Sequence, residues 1–294
     1  WVKTPALDSL AQAGVRFEKA YACNPVCLPN RYSLQTGRMP STAGIGRNED
    51  GRHAQVPETF VRNSLGPLLK KSGYETVYGG KVHLPPALNP RKTGYKVLCR
   101  DARADLAERC ADYIKKPHTK PFFLFASFIN PHDICYMGIN AYRKLNGQEP
   151  IGNVDSRTMQ AVLSDAEKND EGLTEFVEKH CPPLPANYGI PGKEPECITT
   201  NYTDERPFKK YLREKWPDHL WRLHRWAYCR LTEMVDKKIG QVLTAVKDAG
   251  LEKNTLVVFT SDHGDMDASH KLEHKSVLYE ESVNIPFIMK LPGR

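Results

Sequence analysis

Cys27, Pro29 and Arg31 stand at alternate positions, just before a short helical run from Tyr32 to Thr36 that Gly37 closes. That spacing sets a sulfur and a guanidinium together near a helix N-terminus, where unsatisfied backbone N–H groups attract anions. A nucleophile held there suits a charged oxyanion ester. Three further polar clusters each follow a predicted strand: Lys81 with His83, then His132, then Asp262 with His263. In open α/β sheets, ligands bind outside the carboxyl ends of the strands, so these clusters are expected to converge on one crevice. Taken singly, a histidine after a strand is more often a hydrogen-bonded structural group, and a lone lysine is usually just solvated.

The elements that must position these groups follow from periodicity. Thr4 and Pro5 open a helix as cap and first residue, and Gly14 ends it. Val15 to Tyr21 is a short extended segment. Glu58 to Lys71 carries Phe60, Val61, Leu65, Leu68 and Leu69 at helical spacing and stops at Gly73. Tyr74 to Tyr78 is β-branched and aromatic, hence a strand leading into Gly79-Gly80-Lys81-Val82-His83. Asp101 to Lys115 is amphipathic. Phe122 to Ile129 is the clearest buried strand, and it ends at Asn130-Pro131-His132. The longest helical pattern runs from Pro217 to Gly250; Thr255 to Thr260 and Ile285 to Met289 are further strands. Helices alternating with short apolar strands predict an α/β fold, with a large mostly parallel or mixed central sheet sandwiched by helices. The stretch 134–207 is polar, Pro-rich and weakly periodic, and is expected to be a long irregular region that shapes a substrate pocket.

Composition narrows the function classes. The 294 residues carry a net charge of +7, with mean hydropathy −0.55. This length supports a large core without disulfides, and the charge favours anionic small molecules or sulfated and phosphorylated polymers. Basic residues are scattered, with no recognition helix or aromatic platform, which argues against nucleic acid as a partner. The longest apolar run is too short for a membrane span. Eight cysteines include no second closely spaced pair beside Cys23 and Cys27, which disfavours a zinc ribbon or finger. Cys181 and Cys197 bracket a Pro-rich loop and are read either as a disulfide or as two buried thiols.

Together these residues resemble the formylglycine-dependent (type I) sulfatases of the alkaline-phosphatase-like superfamily. The likeness runs from Thr4-Pro5-Ala6-Leu7-Asp8 through Cys27-Leu28-Pro29-Asn30-Arg31 and Thr36-Gly37-Arg38. It continues in Gly80-Lys81-Val82-His83-Leu84, Asn130-Pro131-His132, Asn254-Thr255 and Ser261-Asp262-His263-Gly264, and closes with Lys275 and Tyr279-Glu280-Glu281-Ser282. The resemblance implies that 1–294 is a sulfatase catalytic domain incomplete at both ends. An N-terminal strand bearing an Asp-Asp pair would precede Trp1, and a C-terminal subdomain would follow.

The resemblance also implies roles. A maturation enzyme would oxidise Cys27 to an aldehyde, whose hydrate supplies the nucleophile. Arg31 would hold that diol, Lys81 and Lys275 would contact the sulfate oxygens, His83 would assist deprotonation, and His132 would serve the leaving oxygen. Cys27, Asp262 and His263 would bind a divalent metal, Ca²⁺ or alternatively Mg²⁺. The implied substrate is a sulfated carbohydrate or other organic sulfate ester, and the implied compartment is periplasmic, secreted or lysosomal. Two rivals stand beside this reading: a phosphonate monoester or phosphodiester hydrolase of the same superfamily, and a non-catalytic relic that binds sulfated glycans. Asp265 and Asp267 are read as turn and cap residues, His270 and His274 as structural, Glu280 and Glu281 as caps or ion-pair partners. Trp216, Trp221 and Trp226 are read as packing residues.

Overall fold

Short apolar runs become strands and the longer periodic segments become helices in the computed structural model, which describes residues 1–152, 154–168 and 172–292. In chain order the α-helices are α1 (Pro5–Gln12), α2 (Cys27–Thr36), α3 (Glu58–Arg62), α4 (Leu65–Lys71), α5 (Leu106–Ile114), α6 (Cys135–Leu145), α7 (Val154–Glu167), α8 (Leu173–His180), α9 (Pro207–Lys215), α10 (Asp218–Asp248) and α11 (Glu280–Val283). The strands are β1 (Val15–Phe17), β2 (Glu75–Gly80), β3 (Lys96–Val97), β4 (Phe122–Ser127), β5 (Val257–Thr260) and β6 (Phe287–Lys290). The chain divides into two compact units. A strand-bearing unit comprises 5–129, 236–264 and 283–294, and a helical unit comprises 1–4, 130–235 and 265–282.

The fold of the strand-bearing unit is α/β. Its strands are divided between two three-stranded sheets rather than joined in one: a parallel sheet, β3-β2-β4, and an antiparallel one, β1-β6-β5. In the parallel sheet Glu75 lies opposite Phe122, and the register runs on to Gly80 opposite Ser127, so both chains leave the sheet at the same end. Tyr78 is fully buried, stacked on Phe125 at 5.0 Å and edge-on to Tyr95 at 5.6 Å. The second half of α10 contributes Ala245 and Val246 to a core shared with Ile114 of α5 and Phe122 and Leu124 of β4. Buried Asp236 on α10 accepts the N–H groups of Ala6 and Leu7. A carboxylate thus satisfies two orphan donors at the start of α1, where the helix dipole favours it.

Two predicted helices are shorter or divided. Glu58 to Lys71 forms α3 and α4, because Pro67 lacks an N–H and its ring would clash with the carbonyl of Asn63 in a continuous helix; Ser64 takes extended dihedrals between them. The helix predicted from Asp101 starts at Leu106, because the Asp101 carboxylate accepts the N–H groups of Arg103, Ala104 and Asp105 and holds that stretch as a turn.

Gly80 fixes the exit of β2. Its φ is +88, and a Cβ there would meet the Ser127 carbonyl oxygen at 2.2 Å. Gly80→Ala is therefore expected to cost about 2 kcal/mol or more, read as a lowered urea midpoint with an unchanged slope.

The helical unit corrects the expectation for 134–207. That stretch holds α6, α7, α8 and a π-helical turn, Ile198–Asp204, instead of irregular loop. Ile134, Met137, Met159, Val162, Phe176 and Val177 build one core with Trp216, Trp221 and Trp226, so the three tryptophans pack as expected. The apolar face of α10 is mostly buried, with Met234 an exception at 39% exposure. Cys181 is buried and Cys197 exposed, and they are not bridged.

Candidate active site

The site is built on three exits of the strand-bearing unit: the N-terminus of α2 and the ends of β2 and β5. Cys27 is the first residue of α2, after Val26 in extended conformation, and Gly37 closes the helix in the left-handed region. Asn30 ties this terminus down, accepting the Cys23 N–H at 3.0 Å and donating to the Asp262 carbonyl at 2.7 Å. Cys27 Sγ lies 3.2 Å from His263 Nε2, and His263 Nδ1 lies 2.6 Å from the Gly264 carbonyl oxygen. A carbonyl can only accept, so Nδ1 carries the proton. In the neutral ring the Nε2 lone pair then faces Cys27.

Arg31 organises the rest. Its Nε donates to the Val82 carbonyl at 2.9 Å. Its Nη2 donates to Tyr78 Oη at 2.8 Å, the Lys81 carbonyl at 2.6 Å and Ser127 Oγ at 2.7 Å. Its Nη1 lies 3.4 Å from Asp262 Oδ2, which is also 3.5 Å from Lys81 Nζ. Burial works against the guanidinium's charge, but Tyr78 and Asp262 outweigh it and hold the pKa above its ordinary value. Two cations face one carboxylate, and none of these three side chains exceeds 15% exposure. The excess is positive and weakly screened, as an anionic substrate group requires.

The ligand-capable atoms of Cys27, Asp262 and His263 all lie within 4.8 Å of one another. The Nδ1–H···O=C bond that leaves Nε2 available is the arrangement usual for a metal-bound histidine. These donors fit one side of a divalent-cation site. One carboxylate, one imidazole and the Cys27 side chain do not by themselves fill the about six to eight oxygen positions that calcium takes.

Other predicted site residues are placed as follows. His83 is exposed on the loop after Lys81, with φ +40, and forms no hydrogen bond to Cys27 among the described residues. His132 and Lys275 belong to the helical unit. His132 opens a 3₁₀ turn with its Nδ1 3.6 Å from buried Asp133. Lys275 is half-buried between His274 and Ser276, both at positive φ. Asp267 pairs with Arg225 at 3.0 Å, and the Asp265 carboxylate accepts the Asp267 N–H, as expected of turn residues. His270 packs its ring at a tilt against Tyr279, and Glu281 accepts from Asn187. Sequence reasoning missed Tyr78, Ser127 and Asn30 as supports. The signal for Tyr78 and Ser127 was there, since both sit at the carboxyl ends of predicted strands.

The α/β unit thus holds a cysteine at a helix start beside an imidazole, with two cations facing one carboxylate at the strand ends. A family model described as Sulfatase matches residues 1–294; the chain belongs to the sulfatase family, the formylglycine-dependent sulfatases of alkaline-phosphatase-like fold. It is 28% identical to a Delta 4,5-hexuronate-2-O-sulfatase of Bacteroides thetaiotaomicron, over 99% of this chain and 57% of the relative. It is 30% identical to an ulvan-active sulfatase of Formosa agariphila, over 99% of this chain and 52% of the relative. The chain thus spans about half the length of these curated relatives. Among solved structures it resembles a 2-O GAG sulfatase, with TM-score 0.75 and 27% identity over 99% of this chain and 59% of the other. A phosphonate monoester hydrolase of Agrobacterium radiobacter shares the fold, with TM-score 0.66 and 18% identity over 99% of this chain and 64% of the other.

Proposed function

We propose that this chain carries the catalytic part of a sulfuric ester hydrolase acting on sulfated carbohydrates, with formylglycine made from Cys27 as the nucleophile. The observation that carries the reading is the placement of Cys27 Sγ at the α2 N-terminus beside His263, in a cluster where Arg31 and Lys81 outnumber Asp262. The sulfatase relatives named for hexuronate and ulvan substrates support the carbohydrate class.

A maturation enzyme, drawing on an external two-electron oxidant such as dioxygen, would convert the Cys27 CH₂–SH to an aldehyde with release of the sulfur as sulfide, and the aldehyde hydrates. One hydroxyl of the diol attacks the ester sulfur; the bond from sulfur to the alcohol oxygen breaks, and His132 delivers a proton to that oxygen. The second hydroxyl then loses its proton, with His83 assisting. Its oxygen reforms the carbonyl as the C–O bond to sulfate breaks, so no water need attack sulfur. Lys81 and Lys275 would balance the charge that shifts onto the sulfate oxygens, and Arg31 would hold the diol. Histidine suits both proton transfers because its ordinary pKa lies near working pH. A divalent cation held by Asp262, His263 and an oxygen of converted Cys27 would favour the ionised nucleophile; Ca²⁺ is proposed, with Mg²⁺ as the alternative. The periplasm, the lysosome or the exterior is the proposed location. No helix among the described residues is long and apolar enough to cross a membrane.

Rates on an aryl sulfate and on a matched phosphonate monoester, measured with full-length matured protein, decide between the two chemistries. The sulfate is expected to be preferred by about tenfold or more in kcat/KM. Chelation should abolish turnover, and Ca²⁺ should restore it better than Mg²⁺. Preference for the phosphonate would transfer the assignment to the sister activity that the shared fold accommodates.

A further inference from the structure

The helix that carries residue 27 begins without a cap of its own. Val26 holds the N-cap position of α2 and makes no side-chain cap bond, where Ser, Thr, Asp or Asn would usually supply an acceptor. Pro29, at the third helical position, brings no N–H. The Val26 N–H turns back to the Asn24 carbonyl at 2.7 Å, and the Val26 carbonyl accepts the Asn30 N–H at 3.0 Å. The Leu28 N–H is met from outside the helix: Asn48 Oδ1 accepts it at 3.0 Å, from twenty positions further along the chain. Asn48 thus does at a distance what a capping side chain does locally.

The loop that carries Asn48 is built to hold it there. The Asp50 carboxylate accepts the N–H groups of Arg47 at 2.7 Å and Gly46 at 2.8 Å. The Arg52 and His53 N–H groups close a 3₁₀ turn on the Glu49 and Asp50 carbonyls. Asn24 Nδ2 donates to the Gly46 carbonyl at 3.1 Å and joins the loop to the chain just before α2. Packing seats the loop on the helix. Ile45 is buried in one cluster with Leu28, Tyr32 and Leu88, and Gly51 lies so near Leu28 that a Cβ there would collide with the Leu28 methyls. One loop therefore grips Leu28 by its N–H and by its side chain. Cys27 is the next residue back, so any shift of Leu28 moves residue 27 against His263.

We infer that Asn48 is a positioning residue for sulfate ester hydrolysis, clamping the first turn of α2 so that converted residue 27 stays in attack geometry. The inference rests on the sulfatase reading above. It extends the catalytic scaffold to the loop 44–52, which lies apart from the strand-end clusters. A nucleophile displaced by about 1 Å can lose about a hundredfold in rate, so a clamp of this kind is worth having.

The test compares full-length, formylglycine-bearing protein with its Asn48→Ala and Asn48→Asp variants on an aryl sulfate, at a temperature where circular dichroism shows each fully folded. Asn48→Ala is expected to lower kcat by about tenfold or more with KM within about twofold, because the substrate contacts stay while the nucleophile moves. Asn48→Asp keeps an acceptor oxygen at the same reach and should recover most of the loss. A parent-like kcat in Asn48→Ala overturns the inference, as does an equal fall in Asn48→Asp. Amide hydrogen exchange at Leu28, read by fragment-resolved mass spectrometry on the unconverted full-length proteins, needs no turnover. It should quicken by about tenfold or more in Asn48→Ala and stay near the parent rate in Asn48→Asp. Should Asn48→Ala not fold, Asp50→Ala, which loosens the loop from its far side, decides by the same two readouts. If no form hydrolyses a sulfate ester, the sulfatase reading fails, while the anchoring of α2 by Asn48 stands on the exchange rates. Exchange alike in parent and variants removes the anchor, and the inference with it.

Discussion

Cys27→Ala is expected to lower sulfate ester hydrolysis by about 10³-fold or more while the folded state survives. The side chain is 2% exposed, but it sits at the first position of α2, where alanine is a good helix former. The change removes one sulfur beside His263 and leaves the Arg31 bonds untouched, so the stability cost should stay near about 1 kcal/mol. Cys27→Ser separates the two halves of the mechanism. Its single hydroxyl can attack sulfur, but it has no second hydroxyl to expel the sulfate, so at best one turnover and a sulfated serine are expected. Mass spectrometry of the peptide containing residue 27 reads both results. In the active parent, that peptide should have lost one sulfur and two hydrogens and gained one oxygen. Repeated turnover by Cys27→Ala, or an active preparation whose residue 27 is plain cysteine, would sink the assignment.

Much of the site was legible because the chemistry sits where apolar runs stop. Tyr74 to Tyr78, β-branched and aromatic, and Thr255 to Thr260, an apolar run, lead into Lys81 and Asp262, and the structure holds those two side chains 3.5 Å apart. What periodicity could not give was pairing. β1, β6 and β5 form an antiparallel sheet of their own, since strand direction depends on connections that leave no trace in the alternation of side chains. The stretch 134–207 misled for another reason. Its helices are separated by Pro- and Gly-bearing connections, and α6 (11 residues) and α7 (14 residues) mix many polar residues with their apolar ones, so the 3.6-residue repeat is weak in the sequence. Yet Met159, Phe176 and Val177 bury fully in one core. Tyr78 and Ser127 stood at predicted strand ends, but their pairing with Arg31, like that of the Lys81 and Val82 carbonyls, was not legible, because these groups reach it from elements far away in sequence.

That reach makes Arg31 the second large prediction. Its guanidinium joins the end of β4 through Ser127, the end of β2 through Tyr78 and the Lys81 and Val82 carbonyls, and the end of β5 through Asp262. Arg31→Ala takes the donor from the Val82 carbonyl and Ser127 Oγ and removes one of the two cations, Arg31 and Lys81, that lie within 3.5 Å of Asp262 Oδ2. Removing one partner of a buried ion pair costs about 3–5 kcal/mol. Arg31→Lys is not a mild change here, because one ammonium cannot replace a planar fork that faces acceptors on several sides. It is expected to lose about 2 kcal/mol or more. Ser127→Ala removes a single acceptor and should cost about 1 kcal/mol. Urea midpoints of the single variants and of the Arg31→Lys, Ser127→Ala double variant would show coupling between the two positions, since they share one hydrogen bond. Activity should fall with Arg31→Lys even under conditions where the variant is fully folded, because Lys81 and Asp262 are aligned through the same guanidinium. An Arg31→Lys protein as stable and as active as the parent would mean that charge alone, and not the fork, holds the three strand ends in register.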